Sequence, residues 1–375
     1  MENSKTVSVA GKATLHIDKR TVVYGPSKEK PNVSLTYPQV ILLERNGKNN
    51  GLIYVTGESL DVDAYIVHVS RDGGKSFEIL SEIRSEKEGM IANWQPCIYE
   101  LPCKVGDMPE GTLIFAGCVR DAKITKTEIT LWKSADLGKT WEVLSVCATG
   151  DGISGEVAGL WEPFLYAEDG RLYCLYSDES DPDHSQMLVL KHTEDGKNWS
   201  DRVKIACCGE KKLRPGMIAL SKLPTGEYFV VYEMVGMEGN PIYYRKTRNL
   251  TDWGDMSYDG TRILTKDGSR LGSAPYCVWT PLGGEKGMII VTAMFMGAGS
   301  SKTGTDWLVS FDFGETWESC DNPLPYKPGK HRFAYSPGMF VAKDGSIYYV
   351  NDINCENPAF EDKADIVMAH ITVTE

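Results

Sequence analysis

Short apolar runs separated by glycine turns repeat along the whole chain. Each unit opens with one residue followed by proline at the head of an apolar run, turns at a glycine, and returns in a second β-rich run. The six openings are Tyr37-Pro38, Gln95-Pro96, Glu162-Pro163, Arg214-Pro215, Ala274-Pro275 and Ser336-Pro337. The matching returns begin at Gly51-Leu52-Ile53-Tyr54-Val55, Gly111-Thr112-Leu113-Ile114-Phe115, Gly170-Arg171-Leu172-Tyr173, Gly226-Glu227-Tyr228-Phe229, Gly287-Met288-Ile289-Ile290 and Gly345-Ser346-Ile347-Tyr348. Proline cannot donate to a strand ladder, so these positions read as strand starts or edges.

A second signal falls between these units. Ser70-x-Asp72-x-Gly74-x-Ser76-Phe77, Ser134-x-Asp136-x-Gly138-x-Thr140-Trp141 and Ser310-x-Asp312-x-Gly314-x-Thr316-Trp317 share one form. Thr193-x-Asp195 running to Trp199 is one residue shorter, and Thr247-x-Asn249 running to Trp253 is degenerate. In such a hairpin turn the acid caps backbone N–H groups, the glycine takes φ > 0 and the ring packs into the next layer. The form resembles the Asp-box between the third and fourth strands of sialidase-like propeller blades, and its role is read as structural. A repeat near sixty residues with four short strands is one blade. The expectation is an all-β, six-bladed β-propeller occupying residues 1–375 as one domain. The stretch Ala13 to Ile17 is expected to complete the last blade and seal the ring.

Composition adds limits rather than detail. With 42% hydrophobic and 25% charged residues the chain is globular, and nine Trp and eighteen Tyr offer rings for ligand stacking. A formal charge of -12 leaves no electrostatic footprint for nucleic acid or an anionic membrane. No run reaches the length of a membrane helix. Met1 to Lys12 lacks the apolar core of a signal peptide, so a cytoplasmic location is expected if that end is native and a secreted one if it was trimmed. The ten cysteines form no CxxC pair and none has histidine at metal spacing, so they read as reduced packing residues. No cofactor or metal is expected.

In a propeller the innermost strands line a central channel. The residue before each proline should therefore form a ring: Tyr37, Gln95, Glu162, Arg214, Ala274 and Ser336, with Asn93, Trp94, Trp161 and Tyr335 beside it. The ends of the second strands add Glu58, Arg120, Asp178, Glu233 and Asp352. Glu162 and Glu233 stand in strongly apolar surroundings, which raise a carboxyl pKa, while nearby arginine lowers it. Two carboxylates across a small cleft suit glycoside hydrolysis. The bland alternatives are that Glu162 is salt-bridged to Arg214, that Glu233 is a solvated strand end, and that Tyr335 is core packing.

Trp161-Glu162-Pro163-Phe164, Gln95-Pro96 with Glu100-Leu101-Pro102 running into Gly111-Thr112-Leu113, and Phe229-Val230-Val231-Tyr232-Glu233 resemble glycoside hydrolase family 93. The resemblance runs from about Tyr37 to Val350. It implies a six-bladed exo-α-1,5-L-arabinanase that retains anomeric configuration and releases arabinobiose. It further implies Glu162 as nucleophile, Glu233 as general acid/base, and Tyr335 as a hydrogen-bond partner of the nucleophile. Asn93, Gln95, Asp178 and Arg214 are the candidates for orienting sugar hydroxyls, Trp94 and Trp161 for stacking, and Tyr37 joins the substrate-binding set. The expected partner is an oligo- or polysaccharide such as arabinan, met by a monomer. An exo-sialidase is the rival reading, weakened because the first opening is Tyr37-Pro38 where sialidases carry an arginine, leaving Arg214 and Arg332; bidentate arginine is hard to replace for a carboxylate. A non-catalytic carbohydrate-binding propeller is the third.

Overall fold

The computed structural model describes residues 5–29, 35–59, 61–151, 159–296, 306–326, 335–360 and 363–375. Among these there is no α-helix, only strands, turns and two 3₁₀ turns at Gly47–Asn49 and Pro358–Phe360. Each repeat read from the sequence folds into one antiparallel sheet of four or five strands, and these six are the blades; a seventh, two-stranded sheet pairs Leu271–Gly272 with Phe295–Met296. Their innermost strands are Leu35–Leu42, Met90–Glu100, Leu160–Glu168, Arg214–Lys222, Tyr276–Thr280 and Gly338–Val341. Blade 3 is representative: Leu160–Glu168, Arg171–Asp178, Met187–Thr193 and Val203–Ala206 pair in sequence order. The core is distributed between blades rather than gathered in one place, with Leu175, Leu188, Val230 and Tyr232 sharing one interface between blades 3 and 4.

The ring closes through the N-terminal segment, which contributes more than the sequence suggested. Ala13–Tyr24 pairs with Ala364–Thr374 as the fourth strand of blade 6, and Lys5–Val9 adds a fifth on its outer edge. Nine of the ten cysteines are buried and none is in a disulfide, as packing residues would be.

The Ser-x-Asp-x-Gly turns join the third and fourth strands of blades 1, 2 and 5. In blade 2 the Ser134 and Thr140 hydroxyls donate to the two oxygens of Asp136 at 2.8 and 2.7 Å, and the Thr140 N–H donates to one of them at 2.9 Å. The shorter copy in blade 3 reproduces this with Thr193 and Asn198 around Asp195. The aromatic at the end of each turn reaches back to the preceding blade: Trp141 Nε1 donates to Ser81 Oγ at 3.1 Å and Trp199 Nε1 to Ser145 Oγ at 3.0 Å. Because third strands run away from the end where innermost strands begin, these turns sit at the face opposite the candidate site.

Candidate active site at the channel mouth

At or near the start of each innermost strand the backbone enters the left-handed region, at Tyr37, Gln95, Glu162, Met217, Ala274 and Ser336, with φ of 49, 52, 60, 56, 49 and 62°, joined in blade 5 by Ser273 at 60°. In blades 1 to 4 the register slips there by one residue, between Thr36 and Gln39, Trp94 and Cys97, Trp161 and Phe164, and Gly216 and Ala219. Such bulges turn a side chain and an N–H out of the ladder. A non-glycine residue held in this region costs about 1–3 kcal/mol, and six in one ring is strain concentrated at one place.

Blade 4 corrects the expected ring. Arg214 pairs in register with Val235 at the edge of the strand, and Met217, three residues on, occupies the bulge. Pro215 marks the bulge in the other blades' fashion only by appearance: here it precedes the break instead of following it. Met217 packs with Tyr37, Ala274, Met294 and Tyr335 as a small apolar collar on the ring.

Five of the six bulge N–H groups are claimed by an acceptor from the blade before. Gln95 N–H donates to Glu58 Oε2 at 3.2 Å, and Glu162 N–H to Gln95 Oε1 at 3.1 Å. Met217 N–H donates to Glu162 Oε2 at 2.9 Å, Ala274 N–H to Glu233 Oε2 at 2.9 Å, and Tyr37 N–H to the Tyr335 carbonyl at 3.0 Å. Hydroxyls add a second donor to two of the carboxylates: Ser177 Oγ to Glu162 Oε2 at 2.7 Å and Ser273 Oγ to Glu233 Oε2 at 2.8 Å. The two glutamates thus come from adjacent blades, at the same end of the channel, each held through Oε2. Gly216 pairs with Glu233 and directly precedes Met217, whose N–H donates to Glu162. A Cβ there would stand 3.7 Å from both Glu233 Oε1 and Ser177 Oγ and 2.7 Å from Gln186 Nε2.

Burial pushes the Glu162 carboxyl up to about 7; the Ser177 hydrogen bond opposes the shift and the charge of Glu233 adds to it. Burial likewise lifts Glu58 to about 7, against the Gln95 N–H and the Arg120 charge. Tyr37, buried beside Glu162, Tyr335 and Glu58, is held well above the ordinary phenol range, burial being the main cause. Its ring meets Tyr335 edge-on with centroids 5.0 Å apart. Gln39, Cys97, Phe164, Ile218 and Tyr276 join the ring residues Tyr37, Gln95, Glu162 and Ser336 around a cavity of about 30 Å³, room for a water molecule.

With the geometry set, the solved structures show what the chain is like. No family model and no curated protein sequence matches it. A Penicillium chrysogenum α-L-arabinanase complexed with arabinobiose superposes with a TM-score of 0.78 at 28% identity, covering 94% of this chain and 97% of that one. A GH93 α-L-arabinofuranosidase of Fusarium graminearum with arabinobiose gives 0.80 at 25%, over 94% and 97%. The structural likeness is to glycoside hydrolase family 93. A Streptococcus pneumoniae NanB sialidase matches at a TM-score of 0.55 and 10% identity over 94% of this chain and 70% of that one, which is likeness of fold.

Beside these family 93 propellers, the remaining sequence candidates fall into two groups. Gln95 and Tyr37 line the channel with Glu162, and Gln95 Nε2 approaches the Tyr37 hydroxyl at 3.5 Å. Trp94 is half-buried under the Arg120 guanidinium, 4.2 Å from its ring, and its ring centroid is 6.0 Å from that of Trp161. Trp161 itself is buried, so its face is not offered to solvent. Asn93 is also buried and donates to the Val62 carbonyl at 3.1 Å. Asp178 does not reach the channel: it is one residue past Ser177, faces blade 2 and pairs with Arg202 at 2.9 Å. Arg214 is ion-paired with Glu179, not with Glu162, and donates to Gln186 Oε1 at 2.9 Å. Glu233 is buried rather than a solvated strand end. Arg332 lies outside the described residues. Met217, Ser177 and Ser273 were not singled out from the sequence; small hydroxyls in apolar runs carry no distinguishing pattern there.

Proposed function

We propose that the chain is a retaining, exo-acting glycoside hydrolase that cleaves α-1,5-linked L-arabinan and releases arabinobiose. The observation that carries this is the Glu162–Glu233 pair, both pinned at one end of the channel, Glu162 by the Met217 N–H and Glu233 by the Ala274 N–H, in a chain similar to arabinanases over nearly its full length. Glycosidase activity on arabinan is the part the family 93 likeness supports directly.

In the first step a Glu162 oxygen attacks the anomeric carbon while the glycosidic C–O bond breaks, and protonated Glu233 passes its proton to the departing oxygen. In the second, ionised Glu233 takes a proton from water, the resulting hydroxide oxygen bonds to the anomeric carbon, and the ester to Glu162 breaks. Two inversions give retention. The Ser177 hydroxyl and Met217 N–H on Glu162 Oε2 favour its anion against the burial that opposes it. Tyr335 and Tyr37 frame the nucleophile, and Gln95, Trp94, Asn93, Trp161, Asp178 and Arg214 make up the proposed sugar-binding set. For Asn93, Asp178 and Trp161 engagement requires leaving the contacts described above. We further propose that the residues form one domain acting as a monomer.

Product analysis on linear arabinan decides the reading. The expected result is arabinobiose with retained anomeric configuration by NMR, abolished in both Glu162→Gln and Glu233→Gln. Turnover of a fluorogenic sialoside with none on arabinan would favour a sialidase instead. Arabinan affinity with no product after long incubation would favour a binding propeller.

A further inference from the structure

The position that holds Glu233 in blade 4 holds a second acid in blade 1. Glu58 pairs with Thr36 immediately before the bulge at Tyr37, as Glu233 pairs with Gly216 immediately before the bulge at Met217. Both carboxylates are buried, and both accept the next blade's bulge N–H. The fold does not demand an acid there, because the equivalent position carries Cys118 in blade 2 and Ser177 in blade 3. A buried carboxylate is unfavourable unless it is well partnered, so its presence calls for a role.

We infer that Glu58 is a positioning residue of the channel-mouth site: through Gln95 it fixes the backbone of Glu162. The links are consecutive. Glu58 Oε2 holds the Gln95 N–H at 3.2 Å, Gln95 Oε1 holds the Glu162 N–H at 3.1 Å, and Glu162 Oε2 holds the Met217 N–H at 2.9 Å. Gln95 is thus tied at its main chain by Glu58 and spends its side-chain oxygen on Glu162. A shift of its backbone is passed to the residue whose carboxyl faces the mouth. The charged and titratable groups around the chain are Arg120, Tyr37, Tyr65, Cys118 and Glu162 beside Glu58, and Glu233, Arg214, Cys118 and Tyr37 beside Glu162. Glu162 raises Glu58, so by linkage Glu58 raises Glu162 in return. Its consequence for catalysis rests on the glycosidase reading above; its geometry does not.

The test compares Glu58→Ala, which removes the acceptor, with Glu58→Gln, which keeps an acceptor and removes the charge. Two readouts are used: the amide proton shift of Glu162 by NMR, and kcat and KM on linear arabino-oligosaccharides over pH. Glu58→Ala should move the Glu162 amide upfield and lower kcat about ten-fold or more, with KM changed less than about three-fold. Glu58→Gln should restore the amide shift and most of kcat while moving the acid limb of the pH profile down. An unmoved Glu162 amide in Glu58→Ala, or Glu58→Gln as impaired as Glu58→Ala in both readouts, overturns the inference. If Glu58→Ala does not fold, Glu58→Asp, which draws the carboxylate back from the Gln95 N–H, takes its place and must move the Glu162 amide. Failure of wild type to act on arabinan would overturn the glycosidase reading, while the amide shift would still decide whether Glu58 positions Glu162.

Discussion

Replacing Ser177 by alanine removes one of two donors on Glu162 Oε2 and leaves the Met217 N–H in place. The lost contact is a 2.7 Å bond to a carboxylate in a partly enclosed site. Hydrogen bonds to charged groups are worth about 1.5–3 kcal/mol. At about 1.4 kcal/mol per pKa unit, the Glu162 carboxyl should rise by roughly one to two units. It starts at about 7, where burial has already placed it. In its proposed role as nucleophile Glu162 must be ionised, so the acid limb of kcat/KM should move up by the same amount. Near pH 6 the variant should lose roughly 10- to 100-fold in kcat/KM, and the deficit should shrink as pH rises. The assay is kcat/KM on a linear arabino-oligosaccharide from pH 4.5 to 9, with the melting temperature as a check on folding. An acid limb that stays within about 0.3 units of wild type, or moves down, would refute the assignment of Glu162 as the ionising nucleophile.

Three further outcomes follow from other contacts. Native Glu162 holds its proton to about 7 whereas an unfolded chain releases it near 4.5, so the native state binds more protons between these values and stability falls as pH rises through them. Glu162→Gln should therefore be more stable than wild type at pH 8 by about 1–3 kcal/mol and close to it at pH 4.5, measured by urea unfolding at both pH values. Gly216→Ala would place a methyl 2.7 Å from Gln186 Nε2 and 3.7 Å from Glu233 Oε1 and Ser177 Oγ, the hydroxyl that holds Glu162; kcat on arabinan should fall at least about ten-fold with the circular dichroism spectrum unchanged. Asp312→Ala removes the acceptor of the Ser310 hydroxyl and of the Thr316 N–H and hydroxyl on the opposite face; it should lower unfolding stability by about 1 kcal/mol and leave kcat unaltered.

Blade number and order were legible because proline and the Ser-x-Asp-x-Gly turn each answer to a local rule: proline cannot sit inside a ladder, and the turn needs its acid and glycine at fixed offsets. The bulge ring was legible only where proline happens to follow it. Left-handed backbone at Met217 is imposed by closure of the channel, not by any preference of methionine, so Arg214-Pro215 drew attention three residues too early. Glu162 and Glu233 stood out as acids in apolar runs. Asp178 also ends such a run, but strand alternation turns it to the far side of Ser177, where Arg202 neutralises it. One residue of register separates a channel carboxylate from a flank ion pair. Glu58 was visible as a strand-end acid, yet its equivalence to Glu233 emerges only when the two pairings are laid side by side.

The seam in blade 6 has a kinetic meaning. His16 and Thr374 touch across 358 positions, so Ala13–Tyr24 finds its neighbour Ala364–Thr374 only after the five intervening blades have been made. Until then two sheet margins stand open, the situation that invites mispairing between molecules during synthesis. Loop closure over that span is also entropically demanding, which puts the joining of the circle late and slow relative to the folding of single hairpins.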